Sequence, residues 1–334
     1  MGLLDEELDR LATEGTFSGV VRVDHPDRGV AVRCWGFADR RHRIPAEAAT
    51  RFAIASGTKG LTALTVMSLV ETGDLDLATP VRSLLGADLP LIDDAVTIEH
   101  LLAHRSGIGD YLDESVLGDI NDYPLPVPVQ HLAGTENYRA VLGGHRQISA
   151  PGHRFAYNNG GFVVLALLAE RAARRPFEEL VVERVCGPAN MTATRFNRSD
   201  RLGPGDAVGY LDVEGFRTNV FHLPVMGSGD GGVYSTAGDV HTLWTALFEG
   251  RIVGHHSVRK MVGPHSDVPS EGKRYGLGFW LHANGPAVSL EGYDAGVSFR
   301  SVHDPTLGLT HTVLANTSAG AWPISRHLDE SLGT

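Results

Sequence analysis

The stretch Ala55-Ser56-Gly57-Thr58-Lys59-Gly60 places a hydroxyl and an amine three residues apart, just before a long apolar run. Residues i and i+3 share a helix face, so the two side chains can meet if a helix begins here. Burial disfavours the ammonium form of lysine, and the positive end of a helix dipole disfavours it further. A neutral Lys59 could then take the Ser56 proton and turn a poor nucleophile into a useful one. Composition points the same way. Of 29 basic residues only Lys59, Lys260 and Lys273 are lysines, and guanidinium cannot play the base as a desolvated lysine can. The spacing alone is weak, because each lysine follows a serine by three. Ser257 and Lys260 lie in the polar HHSVRKM, which reads as solvated surface, and Ser270 and Lys273 lie in VPSEGKRY, which reads as a loop. Only Ser56 and Lys59 enter an apolar helix. Gly57 and Gly60 leave room for a substrate or a neighbouring backbone to approach closely. The plain alternative is a capping serine with a snorkelling lysine.

The elements that would position this pair follow from periodicity. Leucines at 3, 4, 8 and 11 predict a first helix, and Phe17 to Val23 and Val30 to Phe37 predict strands joined by the turn-rich HPDRG. Thr58 to Glu71 predicts a helix ended by Gly73 and apolar nearly all round, the mark of a helix buried in the middle of a structure. Thr97 can cap a helix carrying Ile98, Leu101 and Leu102, and Phe162 to Arg175 predicts another. Asp119 to Val129 is Pro-rich and irregular. Beyond residue 205 strands are predicted at Val208–Leu211, Gly276–Leu281, Ala287–Leu290, Val297–His303 and Thr310–Ala315, with helices near Gly238–Phe248 and Trp322–Ser331. Strands at both ends with helices between them predict an α+β arrangement with an inserted, mainly helical part.

Composition excludes several function classes. The chain has 334 residues, 42% hydrophobic and 21% charged, as in ordinary soluble domains. A net charge of −11 without a basic run argues against nucleic acid as a partner. The acidic N-terminal residues do not fit a signal peptide, and Glu6 breaks the myristoylation pattern. The apolar run from Phe162 to Ala169 is too short to span a bilayer. Cys34 and Cys186 stand at no metal or redox spacing, so a cytoplasmic protein with reduced thiols is the expectation, with no membrane partner and an undetermined oligomeric state.

Downstream, Tyr157-Asn158-Asn159 in PGHRFAYNN forms a Tyr-x-Asn triplet after a Pro-Gly turn and before an apolar helix. With Ser56-x-x-Lys59 about a hundred residues earlier, it resembles the serine β-lactamase and penicillin-binding-protein superfamily, whose related signature is Ser-x-x-Lys, Ser-Asp-Asn and Lys-Thr-Gly. The likeness is greatest to the class C-like branch with its family VIII esterases and D-amino-acid peptidases. FSGVVRV, TIEHLLAHRSGI, GSGDGGVYSTAGDV and YGLGFW are similar to the same branch, in order along nearly the whole chain. The resemblance implies a β-lactamase/transpeptidase-like fold, an antiparallel sheet flanked by helices. Residues 1–78 and 205–334 would form an α/β domain, 79–204 an inserted helical domain, and the site would lie in the cleft between them. It also implies Ser56 as acylated nucleophile, Lys59 as its basic partner, Tyr157 in the proton network and Asn159 binding the substrate amide or orienting Lys59. A phenol beside an ammonium can approach its anionic form, so Lys59 and Tyr157 stand as alternative bases.

The third motif departs from the family. Asp294-Ala295-Gly296-Val297-Ser298 resembles its downstream part, which leaves Glu291-Gly292-Tyr293 where a lysine or histidine would stand. A carboxylate there should repel the carboxylate of a penicillin or a peptide C-terminus. The same strand can supply an oxyanion donor beside the Ser56 amide. His100 and His104 stand at a zinc-compatible spacing, but no HExxH or third ligand accompanies them, and no metal or cofactor is expected. GSGDGG is no dinucleotide loop and reads as a tight turn near the cleft. No G-x-S-x-G elbow is present, which excludes an α/β-hydrolase. The expectation is a serine hydrolase acting through a Ser56 acyl-enzyme on small esters or amides. Esterase activity comes first, then D-amino-acid peptidase or amidase, β-lactamase or transacylase activity. The different class to weigh against it is a non-catalytic ligand-binding descendant.

Overall fold

The computed structural model describes residues 3–114 and 118–334. Among these residues the main sheet has eight antiparallel strands: β1 (Gly19–His25), β2 (Gly29–Trp35), β3 (Ser266–Val268), β4 (Lys273–Tyr275), β5 (Trp280–His282), β6 (Val288–Asp294), β7 (Val297–Asp304) and β8 (Leu309–Ala315), in the order β2-β1-β8-β7-β6-β5-β4-β3. β1 lies against β8 with Gly19 opposite Ala315 and Val21 opposite Val313, so both ends of the chain share one sheet. Period-2 alternation divides these strands between two cores. Val21, Val23 and Val313 face α1 (Glu6–Glu14) and the C-terminal helix Ala321–Leu332, whereas Val20 and Leu314 join the central core. This is the α+β, β-lactamase/transpeptidase-like arrangement that the motifs implied.

The central core is built round α2 (Thr58–Thr72), whose residues 58–69 are all buried. Its hydroxyls are satisfied inside the fold: Thr62 Oγ1 donates to the Gly229 carbonyl at 2.7 Å, and Thr65 Oγ1 to that of Leu61 at 2.9 Å. The helix stops where expected, at Gly73 with φ 82°, whose N–H reaches back to the Leu69 and Val70 carbonyls. No helix among the described residues is long and apolar enough to cross a membrane.

Several predicted boundaries move. The helix predicted from Phe162 begins three residues earlier, as α4 (Asn159–Ala173) following α3 (Ile98–Leu102), because Asn158 Oδ1 accepts the Gly161 N–H at 2.6 Å and the Asp110 carboxylate accepts those of Asn159 and Gly160. Val208–Leu211 is not a strand. Tyr210 makes only single bridges, to Thr218 and Thr317. Gly276–Leu281 is interrupted: Gly276 belongs to the connection between β4 and β5, and Lys273 sits on β4, not in a loop. HHSVRKM is the helix His255–Met261, and its Ser257 is buried with its hydroxyl on Glu71 at 2.5 Å, so the surface reading fails there. Short polar strands and helices of this kind are decided by their neighbours, which local composition does not report.

Ser56 stands on a 3₁₀ turn (Ala55–Gly57) between the short strand Phe52–Ala53 and α2, and Ala55 takes the left-handed φ of 42°. A non-glycine residue there is uncommon and persists only where the surroundings enforce it. Those surroundings are close neighbours. A Cβ on Gly57 would meet the Phe299 ring at 2.4 Å, one on Gly60 the Leu290 side chain at 2.5 Å, and one on Gly292 the Ile54 carbonyl oxygen at 2.0 Å. Gly57 and Gly60 therefore admit protein neighbours. At Gly292 the obstacle is backbone and cannot rotate away. Gly292→Ala should lower stability by about 1–3 kcal/mol, the usual cost of overpacking. A denaturant midpoint equal to wild type would show that the β6 contact with the Ser56 turn is loose.

Candidate active site

The helical spacing of Ser56 and Lys59 brings the amine under the hydroxyl, with Lys59 Nζ 2.8 Å from Ser56 Oγ. Lys59 is 2% exposed, and its Nζ also lies 2.7 Å from Asn159 Oδ1 and 3.0 Å from the Asp230 carbonyl. The last two groups can only accept. A neutral amine donates its two hydrogens to them and turns its lone pair to the Ser56 O–H. Burial pushes the Lys59 pKa below the ordinary lysine value, while the charges of Asp230, Glu114, Asp110 and Asp294 oppose that shift. An alternative as capping serine with snorkelling lysine does not describe this geometry: the turn has no side-chain cap and the amine points inward.

Tyr157, two residues before the start of α4, lines the cleft beside Ser56. Its ring lies 5.0 Å from Lys59 Nζ and stacks on Trp280 at 6.0 Å, nearly parallel. Burial raises the Tyr157 pKa well above the usual phenol value, and the nearby Glu114 charge raises it further. The expected drift toward a phenolate is thus reversed, because desolvation and a carboxylate outweigh the amine. The phenol is shifted toward keeping its proton and the amine toward losing one.

Asn159 has both polar atoms engaged. Oδ1 faces Lys59, and Nδ2 donates to the Leu112 carbonyl at 2.8 Å and to Glu114 Oε1 at 2.9 Å. Of the two roles the sequence left open, this geometry fits orienting Lys59. Asp230, in the GSGDGG turn, is buried and accepts the Tyr111 hydroxyl at 2.5 Å. Burial raises its carboxyl above the normal range and pushes that of Asp110 up to about 6.

At the third motif the structure overturns the expected bare carboxylate. Lys273 Nζ donates to both Glu291 oxygens, at 2.6 and 2.8 Å, and Arg300 stands 3.6 Å away. Glu291 is therefore paired, and the repulsion anticipated for an anionic substrate group has no uncompensated charge behind it. Ser56, Glu114 and Tyr293 line two adjoining lobes of the cleft. One lobe has Tyr111, Tyr138, Leu125, Asp230 and Asp294 on its walls; the other has Tyr157, Trp280, Trp322, Arg154, Glu291 and Gly292.

The structure thus gathers all eight residues singled out from the sequence round one cleft. Missing from that set were Asp110, Glu114, Asp230, His104, Trp280 and Lys273. Asp230 stood in a glycine-rich turn, and His104 and Trp280 stood in TIEHLLAHRSGI and YGLGFW, stretches already likened to the family; Asp110 and Glu114 carried no local signal. The two histidines with zinc-like spacing do not share a helix face. α3 ends at Leu102, His100 accepts the Thr97 N–H within the capping box, and His104 turns at φ 53° into an aromatic pocket. Among the described residues no group of three or more His, Cys, Asp or Glu could hold a metal ion.

The chain is similar to a D-aminopeptidase of Brucella anthropi, 29% identical over 80% of this chain and 49% of the relative. It is 27% identical to the Bacillus subtilis protein PbpX over 83% of itself, and it spans 65% of PbpX. It thus spans about half to two thirds of these relatives' length. A penicillin-binding protein from Bacillus halodurans superposes with a TM-score of 0.90 at 35% identity, covering 96% of this chain and 99% of that one. The family model described as Beta-lactamase matches residues 4–329, and the chain belongs to that family.

Proposed function

We propose that this chain is a serine hydrolase working through a Ser56 acyl-enzyme on small esters or amides whose acyl part carries an ammonium group. The observation that carries the reading is the Ser56 hydroxyl 2.8 Å from the buried Lys59 amine, which itself lies 5.0 Å from the Tyr157 ring. The Ser56 proton passes to Lys59 Nζ as Oγ attacks the carbonyl carbon, and the oxyanion falls to the Ser56 N–H and a backbone N–H of β6. Tyr157 relays the proton from Lys59 to the departing alcohol or amine and is reprotonated by the amine. Water then attacks the acyl-enzyme, gives its proton to Lys59, and releases the acid with Ser56 restored.

Glu114, Asp230 and Asp294 set against tyrosines in one lobe suit an ammonium, by charge and by cation–π contact. A D-aminopeptidase among the relatives supports the same substrate class. Esters of amine-bearing acids fit the lobe equally, so esterase activity stays within the reading. The alternative of a non-catalytic binding protein rests on the missing third motif; Lys273 brings a cation to that strand but pairs it with Glu291.

Exposure to amine-bearing p-nitrophenyl esters and D-amino-acid anilides, followed by intact mass within seconds, should show one acyl adduct on wild type and none on Ser56→Ala. Equal product release by both proteins would sink the reading. Activity should rise with pH through the depressed Lys59 pKa and not fall on the alkaline side, where the raised Tyr157 pKa keeps its proton. Lys59→Arg should lose about 10²–10⁴-fold at every pH, since guanidinium stays charged; a pH-rate profile of both proteins checks this. Burial pushes the Asp294 carboxyl up to about 7, and a bound ammonium would hold it ionised. Asp294→Asn should cut the preference for amine-bearing over neutral esters by about tenfold, the low end for one charged hydrogen bond. An unchanged ratio of kcat/KM values would exclude Asp294 from ammonium binding.

A further inference from the structure

We propose that His104 is a positioning residue of the Ser56 proton relay, a neutral imidazole that clamps Tyr157 through the backbone on either side of it. The proposal builds on the acyl-serine reading above. His104 is 1% exposed and takes φ 53°, a left-handed conformation uncommon outside glycine, though histidine adopts it more readily than most residues. That backbone lets one residue grip the chain twice. The His104 carbonyl accepts the Ala156 N–H at 2.8 Å, and its Nδ1 accepts the Asn158 N–H at 3.1 Å. Tyr157 is the residue between those two bonds. The imidazole ring also lies 4.4 Å from the Tyr157 ring, with Tyr275 at 4.8 Å and Phe162 at 4.9 Å.

The ring's other nitrogen explains why this is not ordinary packing. Since Nδ1 accepts, the proton sits on Nε2, and Nε2 is buried with no hydrogen-bond partner among the described residues. Phenylalanine would fill an aromatic pocket without burying an orphaned donor, which is unfavourable. What histidine adds is the Nδ1 lone pair, the group that holds Asn158. The titratable groups facing the ring are Tyr157, Tyr275 and Lys59; burial and the Lys59 charge keep the imidazole neutral well below its usual pKa. A protonated ring would lose its acceptor and leave Asn158 N–H unpaired, so the clamp requires the neutral form. A misplacement of about 1 Å in a reacting group can cost about a hundredfold in rate, so a loose Tyr157 should slow turnover with little effect on binding.

Two variants separate the acceptor from the ring. His104→Phe keeps an aromatic ring and removes Nδ1; His104→Asn removes the ring but keeps an acceptor near that position on a residue tolerant of positive φ. Amide hydrogen exchange at Ala156–Asn159, referenced to β1, reads the clamp without any substrate. H104F should speed Asn158 exchange and lower kcat, each by about tenfold or more, with KM within about threefold, and H104N should recover most of both. In a Tyr157→Phe background H104F should cost less than about threefold, because its effect runs through Tyr157. Unchanged exchange in H104F, or a full loss in the Tyr157→Phe background, overturns the proposal. If wild type itself forms no acyl-enzyme, the hydrolase reading fails, and the exchange measurement still decides whether His104 clamps this segment.

Discussion

The structure depends on keeping one amine out of water. An ammonium in an apolar interior costs several kcal/mol unless it is paired and hydrogen-bonded. Lys59 meets that constraint with two acceptors and one hydroxyl, each from a different part of the chain. The constraint fits an α2 that is apolar on all sides: its first turn is enclosed, and that enclosure is what depresses the pKa of the amine. It also explains the glycines round the turn, since Gly57, Gly60 and Gly292 let β6 and β7 close directly on the backbone that carries Ser56.

Around that amine the charges are layered. Asp110, Glu114, Asp230 and Asp294 oppose the depression of the Lys59 pKa, yet desolvation remains the larger effect. Burial raises the Asp230 carboxyl, and burial together with the Asp230 and Glu114 charges pushes that of Asp294 up to about 7. On the other side of Ser56 an ion chain runs from Asp329 through Arg300 and Glu291 to Lys273, whose amine lies 5.2 Å from the Trp280 ring centroid. Trp280 in turn stacks on Tyr157. Charge on this side of the cleft is spent within the protein and stiffens the wall that the phenol leans on.

Short-range chemistry made much of this legible. The Ser56–Lys59 spacing and the apolar α2 with Gly73 at its end are local patterns that lie where the pattern put them, while the Tyr-x-Asn triplet runs into the first turn of α4. Val208–Leu211, by contrast, has a strand-like composition but is held by contacts to Thr218 and Asn316 and joins no sheet. Lys273, in a Pro- and Gly-rich stretch, becomes a strand because β3 and β5 flank it. Propensity spans about 1 kcal/mol on the strand scale, which tertiary pairing easily overrides.

The sequence by itself determined which side chains would meet through a helix turn, because i and i+3 geometry needs no knowledge of the rest of the chain. It also determined the family, through several motifs in the right order. The tertiary structure alone decided protonation, since the pKa of Lys59, Tyr157 and His104 depends on groups far away in sequence and on the exclusion of water. It likewise decided that Glu291 is a paired carboxylate, because its partner comes from β4, two strands away across the sheet. Spacing along a chain reports contacts within an element; charge and solvation are set by contacts between elements.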